Sequence, residues 1–329
     1  MRYRTLIFVI ISIIALSALT SCGYEELDIP NFVDERHELV NLVFRLAGAD
    51  YFTSTSTDYQ RRLQETFAEF SDHPAVRRIR TVRFQFFHNL EITILFERCE
   101  EEGIFVLREN AHLTSLDSRF NKQRFIDELN DFYYVTNFGE FFRENEEYFI
   151  ERSTEFFRRV YRNFNREWFR QFGLNPDNLF IILAPSKSLV NTAAWLYDGY
   201  SIYEMIVYSN LSHWSQRSIW DHYETVIHEF AHAIGNPIAR RWFSLGSDFG
   251  ALVMDSFRRG RINSMYYSPR SVAEEYVTRA LTILYFVDNT DRNIQTLFQL
   301  ERNQGFRNIV EVFDMLMRYL GRYELIQLN

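Results

Sequence analysis

The chain has 329 residues and a formal net charge of −8; hydrophobic residues make up 47% and aromatics 17%. That is ample material for a buried core, and the acidic balance argues against a nucleic-acid partner. The basic residues are almost all arginine, with lysine only at Lys122 and Lys187.

The first residues read as an address. Arg2 and Arg4 precede an uncharged apolar run over 6–18, too short for a comfortable membrane span, which ends in Leu19-Thr20-Ser21-Cys22. That ending resembles a bacterial lipobox. It implies a signal peptide over 1–21, lipidation at Cys22, and an exported lipoprotein held at a membrane in the periplasm or at the cell surface. The polar, acidic stretch 22–33 reads as a tether. With Cys22 lipidated, Cys99 has no intrachain partner, so no disulfide is expected.

Residues 34–329 are expected to form one domain, helix-rich to about 172, with strands and metal-bearing helices over 173–329. The expected class is α+β: mainly helical, with a small mixed sheet beside the motif helix. Residues 34–46 place Leu39, Val40, Val43 and Phe44 at helical spacing, and 59–70 repeat the pattern with Leu63, Phe67 and Phe70. Asp72-His73-Pro74 reads as a helix start. Residues 90–96 are apolar and short, either strand or buried helix. Over 118–134 and 137–172, Phe and Tyr recur every three or four residues. A carbohydrate-binding platform is one reading; core packing suits the helical period better. Gly173 to Asp177 form a turn, after which 179–184, 190–196 and 203–208 read as strands.

Next comes Thr225-Val226-Ile227-His228-Glu229-Phe230-Ala231-His232-Ala233-Ile234-Gly235-Asn236-Pro237. On a helix, residues four apart share a face, so His228 and His232 can aim two imidazoles at one zinc ion. Glu229 is turned about 100° from His228, within reach of a water at that ion, as a general base requires. Ser218 and Asp221 suit a capping box, Gly235 a left-handed C-cap, and Pro237 a stop. Ile219, Tyr223, Val226, Ile227, Phe230 and Ile234 would form the buried stripe.

Catalytic zinc needs a third protein ligand. Position 238 is Ile238, so no histidine stands ten residues after His228, and Asn236 is a weak ligand. The stretch from Ser268 to Ala280 begins like a capped helix, with Glu274 at a capping-box position after Ser271. Glu275 shares a polar stripe with Thr278, Arg279 and Thr282, so Glu275 is preferred as third ligand and Glu274 is the runner-up. Arg279, one turn on, would steady the carboxylate. Candidates to stabilise a transition state are Arg279, Tyr266, Tyr267 and His222. The substrate would add to an edge strand at Asn191, Thr192, Ala193 and Ala194, where small side chains leave room.

H-E-F-A-H-A-I-G-N-P followed by E-Y-V-T-R-A resembles a family of bacterial zincin-like lipoproteins of undefined activity. Asp72-His73-Pro74-Ala75-Val76 and Asn137-Phe138-Gly139-Glu140-Phe141-Phe142 resemble it as well. The resemblance implies a glutamate-zincin metallopeptidase fold and names no substrate. The expected function is a zinc peptidase with one Zn2+, acting on peptides or proteins at the cell envelope. The other reading is a non-catalytic envelope lipoprotein of that fold that binds peptide or glycan.

Overall fold

A computed structural model describes residues 30–49, 52–53, 57–82, 88–113, 120–187, 192–197, 202–209, 219–245, 247–258 and 268–323. The expected signal peptide, Cys22 and most of the expected tether lie outside them. The chain from Phe32 onward packs as one unit.

Helix α1 (Glu35–Leu46) starts where the Asp34 side chain accepts the Arg36 N–H. Thr57 caps α2 (Asp58–Phe67) in the same way, by accepting from Gln60. A tight 3₁₀ turn then leads to α3 (Pro74–Val82), with Pro74 in the first turn. His73 faces Asp131 at 3.0 Å and packs edge-on against Phe132. Residues 90–96 divide between the two readings. Helix α4 (His88–Thr93) occupies most of the run, and β1 (Phe96–Cys99) begins at its end and pairs antiparallel with β2 (Ile104–Leu107).

The aromatic-rich stretch forms α5 (Lys122–Val135), α6 (Phe138–Glu144) and α7 (Glu146–Arg159). Phe125, Phe132, Phe138, Phe149 and Phe156 are fully buried, and Phe141 nearly so. Tyr59 from α2 stacks on Tyr148, and Phe142 meets Phe149 at 4.7 Å between ring centres. These rings fill a core.

β3 (Leu179–Leu183), β4 (Thr192–Tyr197) and β5 (Ile202–Ser209) form a mixed sheet in the order β3-β5-β4. β3 runs parallel to β5 and β4 antiparallel to it, so β4 is an edge. The sheet packs on α8 (Ile219–Leu245), the motif helix. Helix α9 (Ser247–Arg258) follows, then α10 (Pro269–Asn289), α11 (Ile294–Asn303) and α12 (Ile309–Leu320). Among the described residues no helix is long and apolar enough to cross a membrane. The class is therefore α+β and mainly helical.

Three sequence expectations fail at helix ends. Gly235 does not cap α8, and Pro237 does not stop it: the helix runs on to Leu245 with Pro237 inside. Gly235 serves close packing instead. A Cβ there would lie 2.7 Å from Thr278 Oγ1 and 3.0 Å from the Thr278 backbone nitrogen, so only glycine lets α8 and α10 come this near. In α10 the capping box is Ser268 with Ser271, since Pro269 takes the first helical position; Glu274 has no part in it. Ser218 lies outside the described residues.

Candidate metal centre

The motif helix turns one side to the core. Tyr223, Val226, Ile227, Phe230 and Ile234 are all buried. Phe230 stacks on Phe164 at 5.2 Å, and the Tyr223 hydroxyl meets that of Tyr285 on α10 at 2.9 Å. These contacts fix the rotation of α8 and leave His228 and His232 facing α10.

There Glu275 meets both histidines. Its Oε2 lies 3.4 Å from His228 Nε2 and its Oε1 lies 3.4 Å from His232 Nε2. The imidazole centres are 4.8 Å apart, and the three potential ligand atoms all lie within 4.8 Å of one another. Glu274, one residue earlier, is turned away. It pairs with Arg240 at 2.7 Å and Arg270 at 3.5 Å, so it is not a third ligand. A helix advances 100° per residue, and only one of two adjacent carboxylates can face α8.

The surroundings orient the ligands. His232 Nδ1 lies 3.0 Å from Asn236 Oδ1 and 3.2 Å from Thr278 Oγ1. An Nδ1–H donating to Asn236 leaves a lone pair on Nε2, aimed at Glu275. Burial is the main influence on His228 and lowers its pKa, against the pull of Glu275. Burial would raise the Glu275 pKa; His228, His232 and Arg279 outweigh it and keep the carboxyl well below its usual range. Glu275 Oε2 is buried and makes no hydrogen bond. Two imidazole nitrogens thus converge on one carboxylate, each at 3.4 Å. Such a set fits a divalent cation, and two nitrogens with one carboxylate are a zinc-type donor set.

Glu229 adjoins the set. Burial raises its carboxyl to about 7, with Glu275 adding to the rise, while His232, Lys187 and Arg279 oppose it. Lys187 is fully buried just beyond β3, and desolvation brings its ammonium down to about 7 against the pull of Glu229. The sequence offered no pattern that linked Lys187 to this place. Arg279 lies behind Glu275, with Nε 3.3 Å from Oε2.

Other expected residues fare differently. Asn191, Tyr266 and Tyr267 lie outside the described residues, and the side chains of His222 and Thr192 are likewise outside them. On β4, Ala194 is buried with Leu90, Ile94, Ile182 and Leu196, so its side chain lines core and not a substrate groove. Ala193 points the other way, toward the main core, as strand alternation requires. Any peptide on β4 would meet its backbone edge. Asn236 was dismissed as a ligand; its i+4 spacing from His232 was the available sign of its supporting role.

Comparison with family models, with curated proteins and with solved structures finds no match to this chain. The chemistry at the centre therefore carries the functional reading. His228, His232 and Glu275 can hold a metal ion.

Proposed function

We propose that this protein is a zinc-dependent peptidase of the glutamate-zincin type, exported and anchored through lipid on Cys22. One observation carries the reading: Glu229 directly follows the first ligand of a two-histidine, one-glutamate donor set. A closed structural site needs no carboxylate at that position, whereas a hydrolase does. His228, His232 and Glu275 hold the ion. When bound, zinc supplies a Lewis acid that makes water more acidic and a peptide carbonyl more electrophilic.

The protein's own groups do the rest. Glu229 accepts a proton from the attacking water and returns it to the departing amine, so the carboxylate is regenerated each cycle. Burial around Glu229 raises its carboxyl above the usual carboxylate range, which strengthens it as a base. Asn236 and Thr278 keep His232 in one tautomer. Among the described residues β4 is an edge of the sheet, packed beside α8, and an extended peptide would add there.

The test measures zinc content and cleavage of a mixed peptide library for wild type, Glu229→Gln and Glu275→Ala. Glu229→Gln is expected to keep zinc and lose cleavage by a factor of about 10² or more. Glu275→Ala is expected to lose zinc. Zinc in the wild type without cleavage of any peptide would turn the reading toward a binding protein. A wild type without zinc would end it.

A further inference from the structure

Arg279 is an awkward neighbour for a metal ligand. A guanidinium 3.3 Å from Glu275 Oε2 competes with any cation for the same carboxylate. The structure contains an answer to that competition on the far side of the arginine. Arg279 Nη1 donates to Glu301 Oε2 at 2.6 Å and to Gln304 Oε1 at 2.7 Å. The Phe306 ring lies against the guanidinium, 4.1 Å from its carbon. Glu301 is only 3% exposed, and a carboxylate that deeply buried is stable only when paired.

The three gripping residues come from one helix end. α11 closes in a Schellman turn: Gly305 N–H donates to Arg302 O and Phe306 N–H to Glu301 O, both at 3.0 Å. Gly305 takes φ 108°, open to glycine and strained for other residues. This turn folds Glu301, Gln304 and Phe306 around a single point. The result is a row of alternating charge, Glu275–Arg279–Glu301, running outward from the ligand set.

We propose that Glu301 is a positioning residue of the metal centre: it neutralises Arg279 from behind, so that Arg279 orients Glu275 without withdrawing it from the cation. This rests on His228, His232 and Glu275 being the ligands. Glu301 touches neither ligand nor ion and acts through Arg279. With Glu301 removed, the guanidinium would lose this carboxylate and turn more strongly on Glu275.

Zinc dissociation constants of the full-length protein, measured by competition with a chromophoric chelator, test this. The set is wild type, Glu301→Gln, Glu301→Asp, Arg279→Met, the double variant Arg279→Met/Glu301→Gln, and His232→Ala. Glu301→Gln is expected to weaken zinc binding about 10- to 100-fold, and Glu301→Asp to fall between it and wild type. The double variant is expected to bind zinc more tightly than Glu301→Gln alone, because the guanidinium that competes for Glu275 is gone. A merely structural Glu301 would not produce that recovery. If Glu301→Gln does not fold, Glu301→Asp carries the test, weakened binding at an unchanged metal-free melting temperature being the expected result.

The inference is overturned if His232→Ala loses zinc while Glu301→Gln, or Glu301→Asp in its place, binds like wild type. A double variant no tighter than Glu301→Gln overturns it too. A wild type that binds no zinc, or a His232→Ala that binds as tightly as wild type, overturns the assignment of the ligands and this inference with it.

Discussion

His232 shows how little a ligand owes to its own identity and how much to its neighbours. Its Nε2 is useful to a metal because Nδ1 is engaged by Asn236 and Thr278. Replacing Asn236 by Leu removes the acceptor that fixes the tautomer. Zinc affinity, measured by chelator competition, is expected to fall about tenfold or more. Glu274→Gln offers the contrast, since Glu274 serves only a surface pair with Arg240 and Arg270. That change is expected to leave zinc affinity unaltered.

At the scale of elements, the centre is a contact between two helices. α8 brings both histidines and Glu229; α10 brings Glu275, Thr278 and Arg279. Their separation is set where Gly235 meets Thr278. Gly235→Ala would drive a methyl group into Thr278 Oγ1 and into backbone. It is expected to cost about 1–3 kcal/mol of stability in urea unfolding, as overpacked cores do, and to weaken zinc binding as Glu275 moves off. The same contact explains why a glycine and, two residues on, a proline fail to end α8. Pro237 forfeits one helical hydrogen bond at that point, while packing along α10 holds the helix on course.

The aromatic half takes on a role at the scale of the whole unit from Phe32 onward. Helices α1 and α2 grip the turn after β3 that carries Lys187 toward Glu229. Asn41 Nδ2 donates to Ser186 Oγ, Arg45 Nη2 to Ser186 O, and Gln60 Nε2 to Pro185 O. Glu38 accepts from Ser186 Oγ and Tyr59 Oη, each at 2.7 Å. Burial raises the Glu38 carboxyl to about 7, against the lowering effect of those hydrogen bonds. Burial also lowers the pKa values of Arg45, Lys187 and His37 in this region.

The consequence for stability has a definite sign. Glu38 binds its proton more tightly folded than unfolded, so it favours folding below pH 4.5, and that contribution is lost as pH rises to about 7. The loss is on the order of 3 kcal/mol. Denaturant unfolding of wild type and Glu38→Gln between pH 4.5 and 7.5 checks this. The wild type is expected to lose more stability than the variant across that window, the variant having no carboxyl there to ionise.

Much of the centre was legible in the chain because helical geometry is local. Four-residue spacing puts His228 and His232 on one face, and the apolar stripe on α8 could be read from its 3.6-residue period. The polar stripe on α10 likewise pointed to Glu275 ahead of Glu274. The helix class of the aromatic half, the strands and the mixed sheet followed from period and turn residues.

What no spacing could reveal depends on residues far apart in sequence. Whether Gly235 ends a helix or admits a neighbour was decided by Thr278, some forty positions away and brought near only by packing. The grip of Glu301 on Arg279 and the burial of Lys187 beside Glu229 arise in the same way. Local periodicity fixes which face a side chain occupies. What that face meets, and so how a charge there is compensated, is settled only when the helices pack.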